Sequence, residues 1–231
     1  MKTISVTDSP AALRKELVRE QLLTKAAQLF SERSFAGTRM QDIAEELGLT
    51  RSAVYYYFKN KEEILAAIVE EHTVDASLDV EALIANPGLT PAERLRRAIA
   101  ANVVRKLGDT ARFRVLDKIE SEMPAEIARL HNRFKRHVLD LYSQLIEAGI
   151  ASGEFRAVDV RITAFSLIGM ANWTAWWYSP GGRKSPHEIG ELLADLALHA
   201  VAAHRGPAEP DTFDAALDSI RRGVAALDHL R

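Results

Sequence analysis

The 231-residue chain has no cysteine, which excludes disulfide frameworks, thiolate zinc sites and a cysteine nucleophile. That absence fits a reducing compartment. The opening segment, MKTISVTDSPAALRKELVRE, lacks the apolar central run of a secretory signal. No stretch reaches the roughly 18–20 apolar residues needed to span a bilayer; the longest candidate, residues 162–178, is interrupted by Ser166, Asn172 and Thr174. A soluble, cytoplasmic protein is expected. Catalytic signatures are missing as well. There is no Gly-x-Ser-x-Gly elbow, no phosphate-binding glycine loop and no helical His-Glu-x-x-His zinc motif. The acidic pairs Glu45-Glu46, Glu62-Glu63 and Glu70-Glu71 read as solvated helix faces. An enzyme is therefore not expected, nor a cofactor or a bound metal.

Net charge is small, −2, but it is unevenly spread. Residues 1–61 carry ten Lys/Arg against seven Asp/Glu, a balance of +3 that leaves −5 for the remainder. A basic head on an acidic body suits a chain that meets a polyanion at one end, although chance scatter explains the charge equally well.

What is present is helical periodicity almost throughout, so an all-α protein is expected. Helices are predicted at about 10–33, 39–47, 51–58, 61–85, 91–107, 110–121, 124–151, 159–178, 186–204 and 211–229. Starts are marked by capping boxes at Thr38/Gln41, Asn60/Glu63, Thr90/Glu93 and Ser185/Glu188, the last two with proline at the first helical position. Stops are marked by Gly48, Gly153 and the Gly181-Gly182 pair. The segment Gly206-Pro207-Ala208-Glu209-Pro210 resembles a linker ahead of the final helix.

Aromatic residues are scarce, yet four stand together in 50-TRSAVYYYFKNK-61. Residues 39–58 form two short helices around the turn Gly48-Leu49-Thr50. Ile43, Ala44 and Leu47 make the apolar face of the first, and Val54 and Phe58, four apart, that of the second. Thr50 can cap the second helix. At about 100° per residue, Arg51, Ser52, Tyr55 and Tyr56 then face outward, with Tyr57 at the core edge. Arg51 suits a guanine edge, and Ala53 or a tyrosine ring suits a thymine methyl. A helix-turn-helix with this face fits a DNA major groove, though many helical hairpins share the pattern.

The run FAGTRMQDIAEELGLTRSAVYYYFKNKEEIL, residues 35–65, resembles the DNA-binding domain of the TetR (tetracycline repressor) family. The preceding helix, with Ala26, Ala27, Leu29 and Phe30 before Glu32-Arg33, matches too. Ser34 departs from the family, which commonly has glycine there, so a strained turn is expected. The resemblance implies a three-helix DNA-binding domain over 10–62 and a larger ligand-binding and dimerisation domain over 63–231, with helix 61–85 connecting them. It implies DNA contacts by Thr38, Arg39, Thr50, Arg51, Ser52, Ala53, Tyr55, Tyr56, Tyr57 and Lys61, with Thr38, Arg39, Tyr55, Tyr57 and Lys61 at phosphates.

Further along, 148-AGIASGEFR-156 is similar to the family's usual close of its seventh helix. The last two family helices, here near 159–178 and 186–204, then pair across a dyad, which implies a homodimer on a palindromic double-stranded operator. The stretch 169-GMANWTAWWYSPGG-182 resembles members that respond to acyl-CoA thioesters or related lipids. A ligand-responsive repressor released by a small hydrophobic effector is therefore expected, with an acyl-CoA thioester as the candidate. Phe113, Leu116, Phe134 and Leu141 lie on helices that surround a pocket in the family. Phe165, Asn172 and Trp176 share one face of the eighth helix, while His131, His137 and Asn172 supply polar groups. Ordinary core packing explains these aromatics as well. Arg112, Arg114, Arg129, Arg133 and Lys135 read as solvated faces, with an anionic head group as the alternative. A helical adaptor without DNA binding, an activator and a co-repressor-dependent regulator all remain open at this point.

Overall fold

A computed structural model describes residues 9–203, apart from the side chains of 72–75 and 111–112. Arg112, the 206–210 linker and the helix expected at 211–229 lie outside the described residues. Nine α-helices are described: α1 (Pro10–Arg33), α2 (Met40–Glu46), α3 (Arg51–Tyr57), α4 (Lys61–Ala85), α5 (Pro91–Gly108), α6 (Thr110–Ile119), α7 (Ala125–Ala151), α8 (Val160–Trp177) and α9 (Pro186–Val201). A short 3-10 turn, Glu120–Glu122, follows α6. The described residues hold no sheet, only one antiparallel bridge between Phe155 and Ala202. None of their helices is long and apolar enough to cross a membrane.

Most helix starts follow their sequence signals. Thr90 and Ser185 cap α5 and α9 in complete boxes with Glu93 and Glu188. The Asn60 side chain accepts the Glu63 N–H at 2.8 Å, and Asp159 caps α8. The box expected at Thr38/Gln41 is a correction: α2 begins one residue later, with Arg39 at the cap and its N–H donated to Asp42 at 2.7 Å. Thr38 is unavailable because its hydroxyl turns inward, donating to the carbonyls of Ser34 at 2.9 Å and Leu29 at 3.3 Å.

Two cores organise the chain. The first joins α1, α2, α3 and the start of α4 to Val115, Leu116 and Ile119 of α6 and Ile127 of α7. Its apolar contacts thus extend past residue 62 into the helices of the body. The second binds the ends of α4 and α7 to α5, α8 and α9. Along α5 the buried face runs Leu95, Ala98, Ile99, Asn102, Val103, Lys106, Leu107. That is a regular 3.6-residue stripe with two polar members.

The turn after α1 carries the expected strain. Ser34 has φ 66° and ψ 163° and is the one non-glycine residue with positive φ among those described. That region is essentially glycine-only and costs about 1–3 kcal/mol for other residues. The Ser34 hydroxyl recovers part of this by accepting the Gly37 N–H at 3.1 Å. Ser34→Gly is expected to gain about 1 kcal/mol net, or roughly 2–4 °C in Tm for a chain of this size. Thermal unfolding checks this, and an unchanged or lower Tm would show that the hydroxyl outweighs the backbone strain.

Candidate nucleic-acid interface and internal cavity

The helix-turn-helix is built from the inside out. Val54 and Phe58 are buried against Ile43, Ala44 and α1, so the opposite face of α3 is forced outward. Gly48, at φ 63°, makes the turn. The Thr50 hydroxyl accepts the Ala53 N–H at 3.2 Å, fixing the first turn of α3. Arg51, Ser52, Tyr55 and Tyr56 are exposed, Tyr56 most at 69%. Ala53 and Tyr57 are half-buried; Tyr57 packs on the core edge and meets the Tyr56 ring edge-on at 5.2 Å. The Arg51 guanidinium lies 5.3 Å from the Tyr55 ring centroid and donates to its hydroxyl at 3.3 Å. Such a pair presents a planar donor fork beside an aromatic ring, a combination whose chemistry suits base edges.

Two expected phosphate contacts change role. Thr38 is fully buried, so its side chain contacts carbonyls and cannot reach DNA. Lys61 is half-buried, and its ammonium donates to the carbonyls of Phe35, Thr38 and Ala36 at 2.7, 3.1 and 3.4 Å. An ammonium has three donors, and here three acceptors satisfy them. Lys61 closes the α1–α2 loop and does not project from it. Arg39 remains exposed at the start of α2. One cation escaped the sequence reading: Lys15 of α1 stands 5.1 Å from the Tyr56 ring centroid. It lies 41 positions from that tyrosine, so nothing in the local pattern betrays it.

The body contains a cavity of about 630 Å³, within the ordinary range for small-molecule sites. It lies between α4, α5, α6, α7 and α8. Five expected residues, Phe113, Leu116, His131, Phe165 and Asn172, do line it. Four do not. Phe134 packs against the first core, and Leu141 is buried in the second. His137 faces outward, with Nε2 2.7 Å from Glu81. Trp176 is 44% exposed, with the Arg114 guanidinium 5.9 Å from its ring centroid. Each sits on the correct helix but at the wrong angle, because periodicity fixes a face only relative to a partner whose position the sequence does not give.

The polar residues of the cavity form a chain that the sequence reading missed. Lys106 Nζ donates to Asn102 Oδ1 at 2.6 Å, Asn102 Nδ2 donates to the Tyr142 hydroxyl at 3.2 Å, and that hydroxyl donates to the Ala98 carbonyl at 3.1 Å. Burial, with a smaller contribution from Arg105, pushes the Lys106 ammonium down to about 7. Burial also pushes the Tyr142 phenol up to about 12, so it stays neutral. His131 is held below the usual imidazole range by burial first and by Lys135 second, with Glu120 opposing. His131 Nδ1 and Asn172 Oδ1 are buried without a hydrogen-bond partner. The available signal was Asn102 and Lys106, two polar residues four apart on an otherwise apolar helix face.

A buried α3 face with an exposed Arg51–Tyr55–Tyr56 surface, joined to a helical body that holds a partly open cavity, has the architecture of a helix-turn-helix regulator. Residues 22–68 match the family model of bacterial regulatory proteins of the tetR family, and residues 88–201 match the tetracyclin repressor-like C-terminal domain. The chain belongs to the TetR family of transcriptional regulators and is not an enzyme. It is 27% identical over 202 residues to the HTH-type transcriptional repressor KstR2 of Rhodococcus jostii, covering 80% of this chain and 91% of that one. A TetR/AcrR-family regulator from Thermobifida fusca is 31% identical, with TM-score 0.61 over 82% of this chain and 99% of its own. AibR, solved in complex with isovaleryl coenzyme A and operator DNA, is 25% identical, with TM-score 0.64 over 77% of this chain and 96% of its own.

Proposed function

We propose that this chain is a homodimeric repressor that binds a palindromic operator through α2 and α3 and is released by a small hydrophobic effector held in the cavity. The observation that carries the coupling is the position of Leu116. It lines the cavity and belongs to the first core, beneath the DNA-binding helices. Its helix α6 also touches α1 directly, through a Lys118 ammonium on the Ser31 carbonyl. A ligand that moves α6 therefore moves the platform on which α1 to α3 sit. It can loosen DNA only by as much as it prefers the shifted arrangement.

Dimerisation is supported by the large apolar side chains left exposed on α8, Ile162, Phe165, Trp173 and Trp177, and on α9, Leu192 and Leu196. All six are exposed in the monomer, and large apolar side chains grouped on two neighbouring helices suit a protein–protein interface. Two heads on such a dyad read half-sites about one helical turn apart. The AibR complex supports an acyl-CoA thioester as the candidate effector.

The test pairs thermal shift with fluorescence anisotropy on a duplex selected by the protein. Compounds that raise Tm are expected to weaken DNA binding, and binding is expected to fall steeply with salt as counterions are released. A panel of stabilising ligands that leaves operator affinity unchanged would contradict the mechanism.

A further inference from the structure

Lys106 is a cation in a place that does not favour one. Its side chain is nine-tenths buried on the apolar face of α5, and the described residues offer no carboxylate within ion-pair distance. One of its three donors is used by Asn102. The ammonium lies 5.2 Å from the Phe113 ring centroid, which adds a weak attraction. A lone charge buried in this way is costly, and an anion docking beside it recovers that cost.

The surrounding charges leave this position open. Arg105, its neighbour on α5, is paired with Asp79 of α4. Glu120, after α6, is engaged by Lys135 at 2.7 Å and faces His131 at 3.8 Å. Asp117 of α6 borders the same space without ion-pairing with Lys106, and Arg129 and Arg136 of α7 add positive charge there. Across the cavity, Asn172 of α8 and His131 of α7 each hold an unsatisfied buried polar atom. The walls between these groups are apolar: Phe113, Leu116, Phe165, Ile168 and Val138.

We propose that Lys106 is the seat of a ligand carboxylate, with Asn102 holding the ammonium in place and the apolar remainder of the effector lying against Phe113, Leu116 and Phe165. This inference rests on the cavity being the effector site. It narrows the effector class to molecules whose apolar chain ends in a carboxylate. Two sources supply that chemistry: a free carboxylic acid, or an acyl-CoA whose acyl chain ends in a free carboxylate. An ordinary fatty acyl-CoA, with a neutral chain end, does not.

Binding such a ligand favours the ammonium over the amine. Because burial pushes the Lys106 ammonium of the empty protein down to about 7, a neutral fraction is present at pH 8, and a bound carboxylate draws it back to the charged form. Carboxylate binding at pH 8 therefore takes up a proton. Affinity for the acid falls as pH rises above 7, approaching tenfold per pH unit between the free and bound values.

The experiment is isothermal titration with unbranched carboxylic acids of four to fourteen carbons, the matched primary alcohols, hexanoyl-CoA and adipoyl-CoA. It uses wild-type protein and the Lys106→Met variant at pH 7, 8 and 9. At least one acid is expected to bind at least tenfold more tightly than its alcohol at pH 7, with proton uptake at pH 8 visible as a buffer-dependent enthalpy. Lys106→Met removes that preference, so that an acid and its matched alcohol bind alike. If only adipoyl-CoA, compared with hexanoyl-CoA, shows the Lys106-dependent gain, the carboxylate arrives on an acyl-CoA and the proposal holds. If no acid outbinds its alcohol and the two thioesters bind alike, the proposal is overturned. Should Lys106→Met not fold, the wild-type pH profile decides: equal, flat profiles for acid and alcohol overturn it. DNA release measured on the same samples separates this inference from the functional reading. A carboxylate that binds through Lys106 without releasing DNA contradicts the repressor mechanism alone. A carboxylic acid that binds and releases DNA equally in wild type and Lys106→Met contradicts the carboxylate site alone.

Discussion

Replacing Arg51 and Tyr56 together with alanine is expected to weaken sequence-specific DNA binding by about 30-fold or more while leaving the fold intact. Both side chains are exposed on α3, and neither belongs to the first core, so their removal opens no cavity. A well-placed arginine or aromatic contact to a base edge is worth about 1–3 kcal/mol. Two of them together cover roughly 1.5 to 4 decades in affinity, a large part of the three to seven decades that usually separate specific from non-specific binding. Anisotropy titrations against the selected duplex and a scrambled one measure the loss. Circular dichroism and Tm should match the wild type. Arg39→Ala is the control, since a phosphate contact would weaken both duplexes alike and reduce the salt slope by about one. Full retention of specificity in the double variant would show that another face of the head meets DNA.

Gly149→Ala should give the largest loss of stability. A methyl group built on Gly149 would lie 2.0 Å from Phe155 Cδ2 and 2.6 Å from Cγ, the ring's stem as well as its edge. The ring has no easy retreat. Phe155 is buried at 4% exposure, its N–H donates to the Gly149 carbonyl at 2.9 Å, and the Arg156 N–H donates to Val201 at 2.9 Å. Phe155 thereby ties the end of α7 to the end of α9, and displacing it loosens both. Overpacking of this kind costs about 1–3 kcal/mol, occasionally more. We expect the upper end, which for a chain of this length is a fall in Tm of roughly 6–12 °C. Gly153→Ala, in the same turn, is the milder comparison: φ is 74° but nothing lies within 4 Å of the added carbon, so only backbone strain is added. If Gly149→Ala unfolds no earlier than Gly153→Ala, the ring is freer than its hydrogen bonds indicate.

The sequence disclosed those parts of the molecule that depend on neighbours within a few positions. Capping at Thr50, Asn60, Thr90 and Ser185 is local chemistry, and each helix begins where those residues place it. The outward face of α3 is equally legible, because Val54 and Phe58 fix its rotation. Thr38 and Lys61 show where this reading ends. The acceptors for the Thr38 hydroxyl lie four and nine residues back, and those for the Lys61 ammonium lie on a loop more than twenty residues away. Both residues are consumed by tertiary contacts that no local pattern announces. The cavity lies in between. Phe113, Leu116, His131, Phe165 and Asn172 could be placed on pocket-facing helices, but Trp176, four residues beyond Asn172 on the same face, turns out to the solvent side. Lys106 was legible in principle, since a lysine on the buried stripe of an amphipathic helix conflicts with its surroundings.

The most direct measurement is selection of duplexes from a random DNA pool by the full-length protein, followed by sequencing. A two-fold symmetric motif is predicted, with half-sites centred about one helical turn, ~10 base pairs, apart, and its enrichment should fall sharply with Arg51→Ala/Tyr56→Ala. Selection of no motif, or of an asymmetric one that the double variant enriches equally, would contradict the account.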